Sequence, residues 1–194
     1  TYYIRFAEDT IIDGFSYKRM WHCNEESQTN WNLYGFIRED EDKKVYLRPP
    51  DYIEGLIYDF GCSVGDTIET WNIYLNNDTL HFVVTDIDSV LLLDGYRKRI
   101  TLLEINNLLE EVWVEGLGSY YGILNSGNNA YGGVCGSYEA LCFESEGDLI
   151  YQNPDFNTCY YDFSVSTEEF TEGKIQIYPN PAHDYVTIDF SDEV

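Results

Sequence analysis

Short apolar runs alternate with polar punctuation along most of the chain. Asp13-Gly14 separates Thr10-Ile11-Ile12 from Phe15-Ser16-Tyr17-Lys18-Arg19-Met20-Trp21. An Asp-Gly pair accepts the positive φ needed at both central positions of a tight hairpin turn. The run from Trp31 to Arg38 meets an acidic tip, Glu39 to Asp42, and then Lys44-Val45-Tyr46-Leu47-Arg48 alternates as a half-buried strand does. Pro49-Pro50 ends that run, because proline has no amide donor for a ladder. Further short runs follow: Gly55 to Phe60, Trp71 to Leu75, Leu80 to Val84, and Ser89 to Leu93. Asp94-Gly95 joins the last of these to Tyr96–Leu102, and Glu146-Gly147 joins Ala140–Glu144 to Leu149-Ile150-Tyr151.

Runs of this length, punctuated this often, predict an all-β fold: an antiparallel meander of hairpins closing into a barrel or a sandwich. The segment Leu103 to Glu111 is the one candidate for a short helix, with an irregular loop as the alternative. A Gly/Asn-rich stretch from Gly116 to Gly136 interrupts the strands after Val112-Trp113-Val114-Glu115. The aromatic content, 18 Tyr, 10 Phe and 4 Trp, fits pleated, half-buried surfaces better than helices.

Charge narrows the function. Asp and Glu number 35 against 11 Lys and Arg, a formal net charge of −24. Such a surface repels phosphate backbones, so nucleic acid is excluded as a partner, as is docking on anionic membranes. No stretch has the length of apolar sequence that spans a bilayer, and the first residues do not follow the signal-peptide pattern.

Composition changes after Phe163. Residues 164–173 are polar and acidic and read as a linker between an all-β domain, 1–163, and a segment at 174–194. In that last segment Ile175-Gln176-Ile177-Tyr178-Pro179-Asn180-Pro181-Ala182, followed by Val186-Thr187-Ile188, resembles the start of the C-terminal sorting domain of type IX secretion cargo. The resemblance implies a small β-sandwich read by the type IX secretion machinery, with Tyr178, Pro179, Asn180 and Pro181 as the sorting signal, and a secreted or cell-surface location. Residues 1–163 resemble uncharacterised secreted domains that precede this module, through Gly35-Phe36-Ile37-Arg38-Glu39, Val45-Tyr46-Leu47-Arg48 and Trp113–Ser119 among others. That second resemblance implies an exported all-β domain and no activity. Asp9-Thr10-Ile11, Asp66-Thr67-Ile68, Asp78-Thr79-Leu80 and Asp88-Ser89-Val90 resemble the short O-glycosylation pattern of the bacteria that use this route.

An exported chain with five cysteines is expected to form disulfides and to leave at least one thiol over. Cys142 with Cys159 is the preferred pair, and Cys135 with either is the rival. Cys23 and Cys62 either pair across strands or stay buried and free. Three scattered histidines and no Cys-x-x-Cys argue against zinc, and Asp86-x-Asp88 lacks the rest of a calcium loop. Gly133-Val134-Cys135-Gly136-Ser137-Tyr138 is similar in part to the nucleophile segment of papain-like proteases. Its only downstream histidine, His183, lies in the terminal segment. Gly116-Leu117-Gly118-Ser119-Tyr120 has its serine one position away from a nucleophile elbow. Glu110, Glu111 and Glu115 beside Trp113 form the acid set most like a sugar-cleaving site, against a reading as a solvated charged face.

No assembled catalytic set, metal site or cofactor motif emerges. The expectation is a non-catalytic secreted or cell-surface protein that binds or adheres, its partner a glycan or a surface protein. A carbohydrate-binding module is the alternative, with Trp71, Trp113, Tyr120, Tyr121 and Tyr131 as ligand-binding candidates. A secreted hydrolase is the third reading.

Overall fold

Asp13 and Gly14 both take positive φ, 53° and 87°, and turn β1 (Tyr3–Ile12) back into β2 (Phe15–Cys23). The Asp-Gly hairpin therefore forms where the sequence places it. The computed structural model describes residues 1–72, 78–106, 108–127, 138–161, 175–178 and 187–190, the last two segments by their backbone.

Hairpin follows hairpin. β3 (Asn32–Glu39) and β4 (Lys44–Arg48) are joined by the acidic tip, where Asp40 Oδ1 accepts the amides of Asp42 and Lys44 at 3.0 and 2.9 Å. With β5 (Gly55–Asp59) these strands form one antiparallel sheet in the order β1-β2-β3-β4-β5. β6 (Thr67–Asn72), β7 (Asp78–Leu92), β8 (Gly95–Glu104), β9 (Glu110–Val114) and β10 (Gly118–Ser119) form a second, in the order β10-β9-β8-β7-β6. β11 (Cys142–Ser145) and β12 (Asp148–Gln152) pair separately across Glu146-Gly147, again at positive φ. The chain divides into two compact units between Tyr161 and Asp162. In the second, β13 (Ile175–Tyr178) pairs antiparallel with β14 (Thr187–Phe190).

The described residues contain no helix, and all neighbouring strands run antiparallel, so the fold is all-β. The helix considered for Leu103–Glu111 is replaced by the β8–β9 hairpin. Its turn closes with Leu108 N–H on Glu104 O and Glu104 N–H on Leu109 O, both 2.9 Å, with Leu108 at φ 55°. Cross-strand pairing of Leu102 with Glu111 and Leu103 with Glu110 outweighs the helical spacing of the leucines.

One core joins the two large sheets. Met20, Leu47, Ile57 and Tyr58 of the first pack with Ile68, Leu80, Phe82, Val84, Ile100, Leu102 and Trp113 of the second. Trp113 stands at its centre, fully buried, with Tyr58, Phe60 and Phe82 edge-on at 5.1, 6.3 and 5.7 Å. These edge-to-face contacts add to the stabilisation from area burial.

Close backbone approach, rather than positive φ, fixes the glycine at position 61. A Cβ on Gly61 would lie 2.3 Å from Asp42 O, where the loop after β5 packs on the β3–β4 tip. Gly61→Ala is expected to cost about 2 kcal/mol, read from a urea melt, because backbone rather than a flexible side chain must give way.

Candidate functional site

Strand alternation puts Glu110 and Glu111 on opposite faces of β9, and Glu115 lies past the end of that strand. Glu110 is exposed, and Glu115 meets Lys43 Nζ at 2.5 Å. Glu111 shares the inner face with Trp113, two residues on, and is only 2% exposed. The solvated-face reading therefore fails for Glu111 and holds for Glu110.

Both carboxyl oxygens of Glu111 are engaged. Oε2 accepts the Gly127 amide at 2.7 Å, and Oε1 accepts the Ser119 hydroxyl. Ser119 Oγ in turn accepts the Tyr121 amide at 3.0 Å, and Ser119 N–H donates to Tyr58 Oη at 3.2 Å. Tyr58 Oη donates to Ile123 O at 2.7 Å. Ser126 closes the set: its Oγ accepts from Trp113 Nε1 and its carbonyl from Asn72 Nδ2, each at 2.8 Å. The first half of the glycine-rich stretch is thus tied to the sheets by side chains from β5, β6 and β9.

Burial pushes the Glu111 carboxyl up to about 7, against the hydrogen bonds from Ser119, Gly127 and Val112, which favour its charged form. Burial likewise holds the Tyr58 phenol well above its ordinary value. An acid that titrates near neutrality suits proton transfer. Here it is enclosed, and the adjoining recess lined by Leu47, Ile57, Trp71, Asn72 and Ser126 has a cavity volume of about 10 Å³. That is room for about one water. The arrangement fastens a loop to the sheets. Glu104, on the same inner face of β8, is fully buried and accepts Asn106 Nδ2 at 2.9 Å. Among the described residues no group of three or more His, Cys, Asp or Glu converges as metal ligands would.

The aromatic ligand candidates separate. Trp113 is withdrawn from the set: its ring is core and its indole N–H is spent on Ser126. Trp71 is half-buried and lies parallel to Tyr52, ring planes 4° apart and centroids 6.2 Å apart. Its ring rests on Gly55, where a Cβ would come within 2.6 Å of Trp71 Cε3. Tyr120, also half-buried, stacks on Tyr151 at 5.7 Å. Tyr121 is half-buried, and Tyr131 lies outside the described residues. Tyr52, 49% exposed, is missed by the sequence reading, since nothing in its loop after Pro49-Pro50 links it to Trp71.

Cys142 and Cys159 form a disulfide with Cα atoms 5.3 Å apart, as preferred from the sequence. Cys23 and Cys62 are free and buried, and Cys135 lies outside the described residues. Replacing both bridged cysteines by serine is expected to lower stability by about 3 kcal/mol in a denaturant melt, for a loop of 17 residues. Of the proposed sorting residues, Tyr178 ends β13, while Pro179, Asn180 and Pro181 lie outside the described residues.

A second constellation, also missed, covers the outer face of the first sheet. Arg38 forks onto Glu54 with Nε at 2.9 Å and Nη2 at 2.5 Å, and Tyr17 Oη donates to the same carboxylate at 2.5 Å. The guanidinium lies 4.1 Å from the Tyr46 ring centroid and 4.7 Å from that of Phe15. Its partner Glu54 is held below the ordinary carboxylate range by Arg38. A sequence signal for this face exists: an aromatic residue stands two before an arginine on four successive strands, Tyr3/Arg5, Tyr17/Arg19, Phe36/Arg38 and Tyr46/Arg48. Spacing by two puts each pair on one side of its strand.

No protein family, no curated protein and no solved structure matches this chain.

Proposed function

We propose that the protein is an exported, non-catalytic binding protein of the cell surface or its surroundings. The observation that carries this reading is the Cys142–Cys159 disulfide, a bridge at home in an oxidising compartment. The resemblance of 175–188 to a type IX sorting start supports the same address. The enclosure of Glu111 and Ser119 supports a binding role, because the acid best tuned for chemistry is engaged in holding the fold. Fractionation of the producing cells, with the protein followed by antibody, tests the address. Recovery from the outer surface or medium is expected, and recovery from the cytoplasm contradicts the reading. A panel of glycosidase, esterase and peptidase substrates tests the role: turnover that disappears in Glu111→Gln would make the protein an enzyme.

One observation favours a carbohydrate-binding variant of this reading. The parallel, partly exposed Tyr52 and Trp71 offer ring faces of the kind sugars stack on. Trp71→Ala is then expected to abolish retention on the neutral polysaccharide that the wild type binds.

A further inference from the structure

We propose that the outer face of the first sheet docks glycans carrying isolated carboxylates. The proposal deepens the binding reading above and rests on it. The chain's arginines are Arg5, Arg19, Arg38, Arg48, Arg97 and Arg99, and the first four fall on this one face. Register aligns them with rings: Arg19 opposes Phe36, which opposes Arg48, and Arg38 opposes Tyr46. Guanidinium and ring therefore alternate across neighbouring strands as well as along each strand. Adjacent strands lie about 4.8 Å apart, so Arg19 and Arg48 are separated by about 10 Å.

The four arginines are not equally occupied. Arg38 is spent on Glu54, and Arg48 meets Asp13, whose own side chain is 72% exposed at the hairpin tip and can yield to a ligand. Arg5 is exposed and lies 4.3 Å over the Trp31 ring. Arg19 is half-buried and has no ion-pair partner among the described residues. A guanidinium without an ion-pair partner, on a strand position that opposes Phe36, is arranged to take a carboxylate through two parallel hydrogen bonds.

Charge complementarity selects the occupant. A chain of net charge −24 that gathers four of its six arginines on one face has built a local exception to its own field. Densely charged polymers such as nucleic acids feel the surrounding repulsion at every phosphate. A glycan with widely spaced carboxylates feels little of it beyond a Debye length of about 8 Å. The rings between the guanidiniums suit the apolar faces of the uncharged sugars in such a chain.

The test is an NMR titration of the whole chain with glucuronosyl-xylotriose, a tetrasaccharide with a single carboxylate among uncharged sugars, and with its methyl-esterified, uncharged form. The acid is expected to bind, to shift resonances of β2, β3 and β4, and to weaken with added salt. The ester is expected to bind about tenfold more weakly or worse, the effect of losing one charge-assisted contact. Arg19→Gln should weaken the acid by a similar factor, with circular dichroism confirming the fold, and the shifts on the wild type report the site independently of that variant. Equal binding of acid and ester, shifts centred on Trp71, binding unchanged in Arg19→Gln, no binding, or self-association of the chain through this face would each overturn the proposal. Binding centred on Trp71 leaves the broader binding reading standing, whereas hydrolysis of the tetrasaccharide would overturn that reading.

Discussion

Glu111→Ala lowers the free energy of unfolding by about 4 kcal/mol, an effect expected from two losses at once. Truncation leaves a cavity in a filled interior, and it strands the Gly127 amide and the Ser119 hydroxyl, which then lack an acceptor away from water. The same residue makes stability depend on pH. In the unfolded chain Glu111 ionises near 4.5, whereas in the fold it keeps its proton until about 7. Between those values the folded state holds the extra proton, so the unfolding free energy falls as pH rises. The total decline is on the order of 3 kcal/mol, complete by about pH 8. Chemical denaturation across that range checks it, with the Glu111→Gln curve lacking this component. Glu54 acts with the opposite sign. Arg38 holds its carboxyl low, so its contribution is present above the unfolded pKa and is lost as pH falls through the lower, folded one.

Gly127→Ala is expected to destabilise by about 4 kcal/mol, measured in the same way. Gly127 sits at φ +73°, where an L side chain is strained, and an added Cβ would lie 2.3 Å from Leu80 Cδ1 and 3.0 Å from Phe82 Cζ. Leu80 and Phe82 are both fully buried, so neither can swing aside without opening the core. The residue cannot move outward either, because its amide is the one bound by Glu111. Loss of protection against hydrogen exchange at the amides of Tyr121 and Gly127, with β1–β5 still protected, would place the damage in the fastened loop.

How far the sequence reaches is set by the range of the interactions concerned. The hairpins at Asp13-Gly14 and Glu146-Gly147 were legible because turn chemistry is local and both residues of each pair take positive φ. The Asp94-Gly95 hairpin forms too, but Leu92 pairs with Gly95, so the turn is Leu93-Asp94. β7 reads as two runs, Leu80–Val84 and Ser89–Leu93, yet it is one strand through Thr85 and Asp86. A bulge there shifts the register and reverses the inward parity, from Leu80, Phe82 and Val84 to Ile87. Trp113 beside a glycine-rich stretch looked like a binding residue. Its burial depends on Tyr58, Phe60 and Phe82, which reach it from distant segments. Glu111 was visible as an acid beside a tryptophan, but its environment comes from Ser119 and Gly127 folding back over it. The repeat of an aromatic two residues before an arginine was present throughout. It becomes meaningful once the register of β2, β3 and β4 brings Arg19, Phe36 and Arg48 into one row.

If the protein is the binding protein proposed above, its interior is structural, and the titration of Glu111 tests that most directly. With the glutamate side chains labelled with carbon-13, the carboxyl signal of Glu111, assigned through Glu111→Gln, is expected to titrate near 7 while the Gly127 amide shifts with the same midpoint. A midpoint near 4.5, with the Gly127 amide indifferent to it, would mean that the carboxyl meets water freely, and the interior would then be open to chemistry.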